Sequence, residues 1–142
     1  MSIVKSNSYQ IGQSATATNN FTLYQPSTPD GTVRLGNGNA GSATSLLTLD
    51  SAGNLGLGVT PSAWGTGKAI QGDGGSVWFR GVGNGLYLTY NYAYYAGANL
   101  YLANGYASRY TQVDGTHAFY TAPSGTAGSA ISFTQAMTLT NA

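Results

Sequence analysis

Short stretches in which apolar and polar residues alternate, each closed by glycine, proline or asparagine, recur along most of the chain. A period of two places every second side chain on one face of a strand. The pattern predicts strands over Ser8–Ile11, Asn20–Tyr24, Thr32–Leu35, Leu46–Leu49, Asn54–Val59, Ser76–Val82, Leu86–Tyr95, Leu100–Ala103, Tyr106–Val113, Thr116–Ala122 and Ile131–Thr140. In the Tyr-rich run, Leu86, Leu88, Tyr90, Tyr92 and Tyr94 are expected to share one face. Asn84–Gly85, Asn104–Gly105 and Asp114–Gly115 are hairpin-turn signals, since these pairs accept the positive φ that tight hairpins need. Gly36–Gly41 and Pro61–Gly67, which carries Trp64, are expected to be loops. Glycines interrupt every helical window. The fold class is all-β, in short antiparallel hairpins and Gly-rich strands.

The segment Leu46–Val59 carries more information than any other. Leu55, Leu57 and Val59 point one way along its second strand, while Gly56 and Gly58 leave the other face without side chains. A bare face admits another backbone at close range. Several identical chains wound about one axis have that need, so Leu47, Leu49, Leu55, Gly56, Leu57 and Gly58 are the candidates for packing along a trimer axis. Either an intertwined homotrimeric fibre or a β-sandwich-like head satisfies the pattern.

Composition sharpens this picture. Only 6% of the residues are charged, against about 25% in typical soluble domains. The net charge is +1, which provides no electrostatic footprint for nucleic acid or an anionic membrane. No apolar run is long enough to span a bilayer, and the first residues lack the apolar core of a secretory signal. With no cysteine, disulfide staples and thiolate metal sites are excluded.

An internal echo divides the chain. Phe21–Ser27 (FTLYQPS) returns as Ala118–Ser124 (AFYTAPS), Ser42–Ser45 as Ser129–Ser132, Leu47–Leu49 as Met137–Leu139, and Ala52 as Ala142. Four regions follow: an attachment segment over 1–19, a first β-module over 20–60, a Tyr/Gly-rich hairpin region over 61–117, and over 118–142 the start of a second copy of the module. The second copy stops short, so the chain is expected to be a piece of a longer one.

These residues resemble bacteriophage tail-fibre and related virion-fibre proteins. The likeness rests on Asn20–Tyr24, Pro29–Gly36 (PDGTVRLG), Leu47–Gly58 (LTLDSAGNLGLG), Tyr106–Tyr110 and Thr121–Gly128 (TAPSGTAG), and so covers most of the chain. It implies a homotrimeric β-rich shaft or head in a virion, made in the host cytoplasm. It also implies other virion proteins at the N-terminal end and sometimes a host surface glycan as partner. In such fibres a Gly-Asn-Leu-Gly-Leu/Ile-Gly segment commonly precedes a self-cleaving chaperone, which nothing here matches.

Candidate chemistry is sparse. His117 is the sole histidine, with Asp114 three residues away across a turn; a triad is recognised by geometry and not by such proximity. Four scattered aspartates and one imidazole make a poor metal set within one chain, and nothing in the spacing of Asp73 and Asp114 pairs them as glycosidase carboxylates. Gly36–Gly41 and Gly72–Gly75 lack the lysine and helix of a phosphate loop. No enzyme activity and no cofactor are expected. Arg80 and Arg109 are expected to stack on aromatics or bond carbonyls. The recognition candidates are Trp64, Trp78, Tyr90, Tyr92, Tyr94 and Tyr95, as flat platforms for sugar rings. They suit fibre attachment or, alternatively, a stand-alone carbohydrate-binding module. A third possibility, a cross-β filament, fits poorly with strands of irregular length.

Overall fold

The computed structural model describes residues 6–140. Residues 1–5 of the attachment segment and Ala142, the echo of Ala52, lie outside the described residues. The chain is all-β apart from one 3-10 turn at Ala17–Asn19. Its strands are β1 (Ser8–Ile11), β2 (Phe21–Tyr24), β3 (Thr32–Asn37), β4 (Thr44–Asp50), β5 (Leu55–Leu57), β6 (Lys68–Gln71), β7 (Gly75–Arg80), β8 (Gly85–Tyr90), β9 (Ala93–Tyr95), β10 (Ala98–Leu100), β11 (Gly105–Val113), β12 (Thr116–Gly125) and β13 (Thr134–Leu139). Eleven of them form a single sheet in chain order, with β9 and β10 set aside as a separate hairpin between β8 and β11. Every pairing is antiparallel except β5 with β6. That parallel step needs a crossover, and Gly58–Gly67 supplies it, laying Trp64 onto one face of the sheet.

Local sequence explains the joints. Asp114 and Gly115 have φ of 50° and 75°, so the two-residue turn between β11 and β12 matches the strand twist. At Asp50–Asn54, Asp50 accepts hydrogen bonds from the Asn54 backbone N–H (2.7 Å) and side-chain amide (2.9 Å). The Asn54 side-chain oxygen Oδ1 in turn accepts the Ala69 N–H at 2.9 Å, tying this turn to β6.

Three expectations are corrected. The run Leu86–Tyr95 is two strands and not one, because Asn91 takes a φ of 51° and turns the chain out of the sheet. Leu88 and Tyr90 therefore stay exposed on one face while Tyr92 is buried on the other. Gly36 and Asn37 belong to β3, where a Cβ on Gly36 would lie 2.7 Å from the Thr44 carbonyl oxygen, so glycine serves pairing there and not looping. Leu100–Ala103 is a strand only at Leu100, the last residue of β10.

The two faces of the long sheet differ in kind. One carries Trp78, Tyr87, Ala107 and Ala122 and is covered by Trp64, Tyr92, Tyr101 and Ile131 from the crossover and from the segments flanking the small hairpin and β12. The other is bare. Along it, directly paired residues read Val33, Leu49, Leu55, Ile70, Val77, Leu88, Tyr110, Phe119 and Met137 from β3 to β13. A parallel row runs Tyr9, Leu23, Leu35, Leu47 and Leu57 from β1 to β5. Cross-strand partners lie on the same face, so every strand of the sheet contributes to one apolar rib. Leu49 is 49% exposed and Phe79, beside the rib, 50%. The chain presents 8529 Å² to solvent, where a compact monomer of 14.6 kDa exposes about 6,900 Å².

Candidate functional site

The covered face builds the only dense aromatic cluster among the described residues. Trp78 on β7 pairs with Tyr87 on β8, and their rings are 4.8 Å apart. Trp64 meets Trp78 at 5.3 Å and Tyr92 at 6.1 Å, while Tyr94 stacks on Trp78 at 5.4 Å with 21° between planes. The indole N–H groups are satisfied: Trp64 donates to Gln71 Oε1 at 3.1 Å and Trp78 to the Thr66 carbonyl at 2.6 Å.

The excursion that brings Tyr92 and Tyr94 onto this face is held by Asn91. Its amide donates to the carbonyls of Ala103 and Tyr106, both at 3.0 Å, and its oxygen accepts the Ala103 N–H at 2.6 Å. One buried side chain thus closes both ends of residues 91–104. Farther along, the Tyr101 hydroxyl donates to the Pro123 carbonyl at 2.6 Å, and its ring lies where a Cβ on Gly125 would be, 2.3 Å away.

Two arginines enter the cluster. Arg80, two residues beyond Trp78 on the same face, donates to the Tyr87 hydroxyl at 3.0 Å. Its guanidinium carbon lies 5.7 Å from the centres of both Trp78 and Tyr94. Arg109 on β11 is packed between Tyr120 and Phe133, 4.5 Å from each ring centre. The stacking expected of both arginines is what they do. The hydrogen bond to Tyr87 holds the Arg80 pKa above its ordinary value. Burial pushes the Tyr92 phenol up to about 12, against the opposing pull of Arg109; its hydroxyl donates to Asn99 Oδ1 at 2.9 Å.

The recognition candidates separate accordingly. Trp64, Trp78 and Tyr92 are core residues, with Trp78 1% and Tyr92 0% exposed, and are not open platforms for a sugar ring. Tyr94 is half-buried at the mouth of the cluster, Tyr90 stands on the opposite, rib face, and Tyr95 is exposed on the small hairpin. These six therefore do not form one surface. Arg80, Arg109 and Asn99 join Tyr94 instead. For the arginines the signal in the sequence is a cation beside aromatics, Trp78–Phe79–Arg80 on β7 and Arg109–Tyr110 on β11, and nothing in the sequence marks Asn99.

The axis candidates also divide. Leu47, Leu49, Leu55 and Leu57 stand on the rib. Gly56 faces the other way, and its bare side is occupied by its own chain: a Cβ there would lie 2.0 Å from the Val59 carbonyl and 3.0 Å from Pro61. Gly58 is a turn residue with φ of 73° and nothing near its Cβ position. Neither glycine packs on the rib.

His117 is exposed on β12, stacked against Tyr110, whose hydroxyl shares a hydrogen bond with Nδ1. Asp114 makes no hydrogen bond to the ring, and the threonine hydroxyl that reaches this residue, Thr138 Oγ1, donates to its backbone carbonyl at 3.2 Å and not to the imidazole. No group of three metal-ligating side chains occurs among the described residues, and no helix among them is long and apolar enough to cross a membrane. No family model, curated protein or solved structure matches this chain.

Proposed function

We propose that the chain is a structural component of a bacteriophage fibre, assembled as a homotrimer and contributing to attachment of the virion to the host surface. It works by mechanical connection and contact, with no chemistry of its own. The observation that carries this reading is the apolar rib. It is one or two side chains wide and eleven strands long, hence about 50 Å at roughly 4.8 Å per strand.

A strip so narrow and so long suits three sheets turned inward about a common axis, each pressing its rib against the other two. Two sheets stacked face to face would want a broad apolar face. Burying half of each exposed Leu or Phe stabilises by about 1 kcal/mol per side chain, and summed along the rib this supplies an obligate interface of the apolar type. The scarcity of charge fits the same arrangement, since neighbouring copies then repel little. Closure about a threefold axis also hides the apolar surface that would otherwise drive aggregation.

Sedimentation velocity or native mass spectrometry of the purified chain tests the proposal. The expected species has three times the protomer mass of 14.6 kDa and persists at micromolar concentration. A well-folded monomer, or a dimer, overturns it.

A further inference from the structure

Arg80 and Arg109 reach the same small depression from β7 and β11, on the face turned away from the rib. Trp78, Tyr87, Tyr92, Tyr94 and Asn99 complete its lining, around a volume of about 200 Å³. Both guanidinium carbons lie 5.9 Å from the centre of the one Tyr87 ring, so two positive charges share a single aromatic wall. Neither has a counter-charge: the ion pair found among the described residues joins Arg34 to Asp30. Asp114 lines the adjoining hollow beside Arg109 but forms no ion pair with it. The Nε atoms of both arginines are buried and have no hydrogen-bond partner among the described residues.

Two like charges beside low-dielectric aromatic walls repel one another, and buried guanidinium N–H groups without acceptors are costly. A single oxyanion offsets the repulsion, because a guanidinium fork matches carboxylate or phosphate oxygens. Tyr94, half-buried at its mouth, offers apolar contact to one edge of a sugar ring, and Asn99, whose oxygen is engaged by Tyr92, keeps its amide N–H groups for a hydroxyl. The volume is below the roughly 300–1,000 Å³ of drug-sized sites, which limits the occupant to one ring and its acidic substituent.

We propose that this depression binds an acidic monosaccharide unit, its carboxylate or phosphate held between Arg80 and Arg109. The proposal deepens the host-contact part of the fibre reading and rests on it. Three copies per fibre would convert weak single-site binding into useful avidity.

The test is calorimetric titration of the assembled protein with glucuronate, glucose 1-phosphate, glucose and inorganic phosphate. Binding of glucuronate or glucose 1-phosphate, weakening as salt is raised, with none by glucose, is the expected result. Which of the two binds identifies the anion as carboxylate or phosphate. Arg80→Gln is expected to weaken binding at least about tenfold with unchanged far-UV circular dichroism, and Arg80→Lys to restore it in part. Arg109→Lys is the second variant, since it preserves the charge between Tyr120 and Phe133 while removing the fork. Equal binding of glucose, no binding of any ligand, inorganic phosphate binding as well as the sugar phosphate, or indifference to both arginine variants overturns the proposal. Sedimentation of the same samples keeps the two readings apart: a trimer that binds nothing sinks this site, and a monomer that binds sinks the fibre.

Discussion

At the scale of single residues, buried polar side chains decide where this chain turns. Asn91 spends its amide on three backbone groups at the neck of an excursion and holds a φ that favours glycine or asparagine. Asn91→Ala is expected to cost about 3–4 kcal/mol in urea unfolding, through unsatisfied buried groups and backbone strain together. Asn91→Gly removes only the strain and should recover about 1 kcal/mol of that. Equal losses in the two variants would show that φ contributes nothing. Tyr92 gives a second prediction, in alkaline solution. Its phenol is kept neutral by burial, with the pKa pushed up to about 12, whereas an unfolded tyrosine ionises near 10. The stabilisation is complete below pH 10 and is lost as pH rises towards 12, because only the unfolded chain gains by releasing the proton. The loss approaches about 2–3 kcal/mol at 1.36 kcal/mol per pH unit. Tyr92→Phe removes the ionisation along with the hydrogen bond to Asn99. The difference in stability between wild type and this variant should therefore shrink between pH 10 and 12, as followed by urea midpoints. Neither role is legible in the sequence. An asparagine inside an alternating Tyr run reads as one more polar position of a strand, and only the backbone reveals that it breaks the alternation.

At the scale of elements, the period-two pattern located most of the hairpins, though neither β6 nor the small β9–β10 pair, because one face of almost every strand is apolar and the turns carry the residues that positive φ demands. It did not reveal which face would be covered. Trp78 and Phe79 are neighbours on β7, both apolar, and sit on opposite faces with opposite fates; the choice depends on loops distant in sequence. Gly56 and Gly58 make the same point. Both read as a bare strand face, yet one is filled by the chain's own crossover and the other lies in a turn. Gly56→Ala is expected to cost about 3 kcal/mol or more, because its Cβ would overlap the Val59 carbonyl and overpacking against backbone is poorly relieved. Gly58→Ala meets no atom and should cost only the roughly 1–2 kcal/mol of left-handed backbone. Thermal unfolding of the two variants ranks them, and comparable losses would argue that a sister chain approaches Gly58 as closely as the crossover approaches Gly56.

At the scale of the whole molecule, the question is what a sheet with one covered and one bare face is for. The covered face has its own core of Trp64, Trp78 and Tyr92, so the protomer does not depend on a partner for all of its packing. The rib contributes nothing to that core. Its residues are matched partner to partner across each ladder, which selection for a solvent-facing surface would not maintain, since alternate strands would then carry polar side chains. Leu49→Asp and Phe119→Asp, on distant strands of the rib, place a charge where neighbouring copies would bring two more to the same level of the axis. Each is expected to shift the sedimenting species from trimer to monomer at micromolar concentration, while the near-UV circular dichroism of the tryptophan core persists. Ala127→Asp, exposed in the turn that follows β12 and away from the rib, should leave the trimer in place. If Leu49→Asp sediments as wild type does, the rib is not what joins the copies, however apolar it is. If instead the core signal collapses with the assembly, protomer and trimer fold as one unit, and the rib is then as much a part of folding as Trp78.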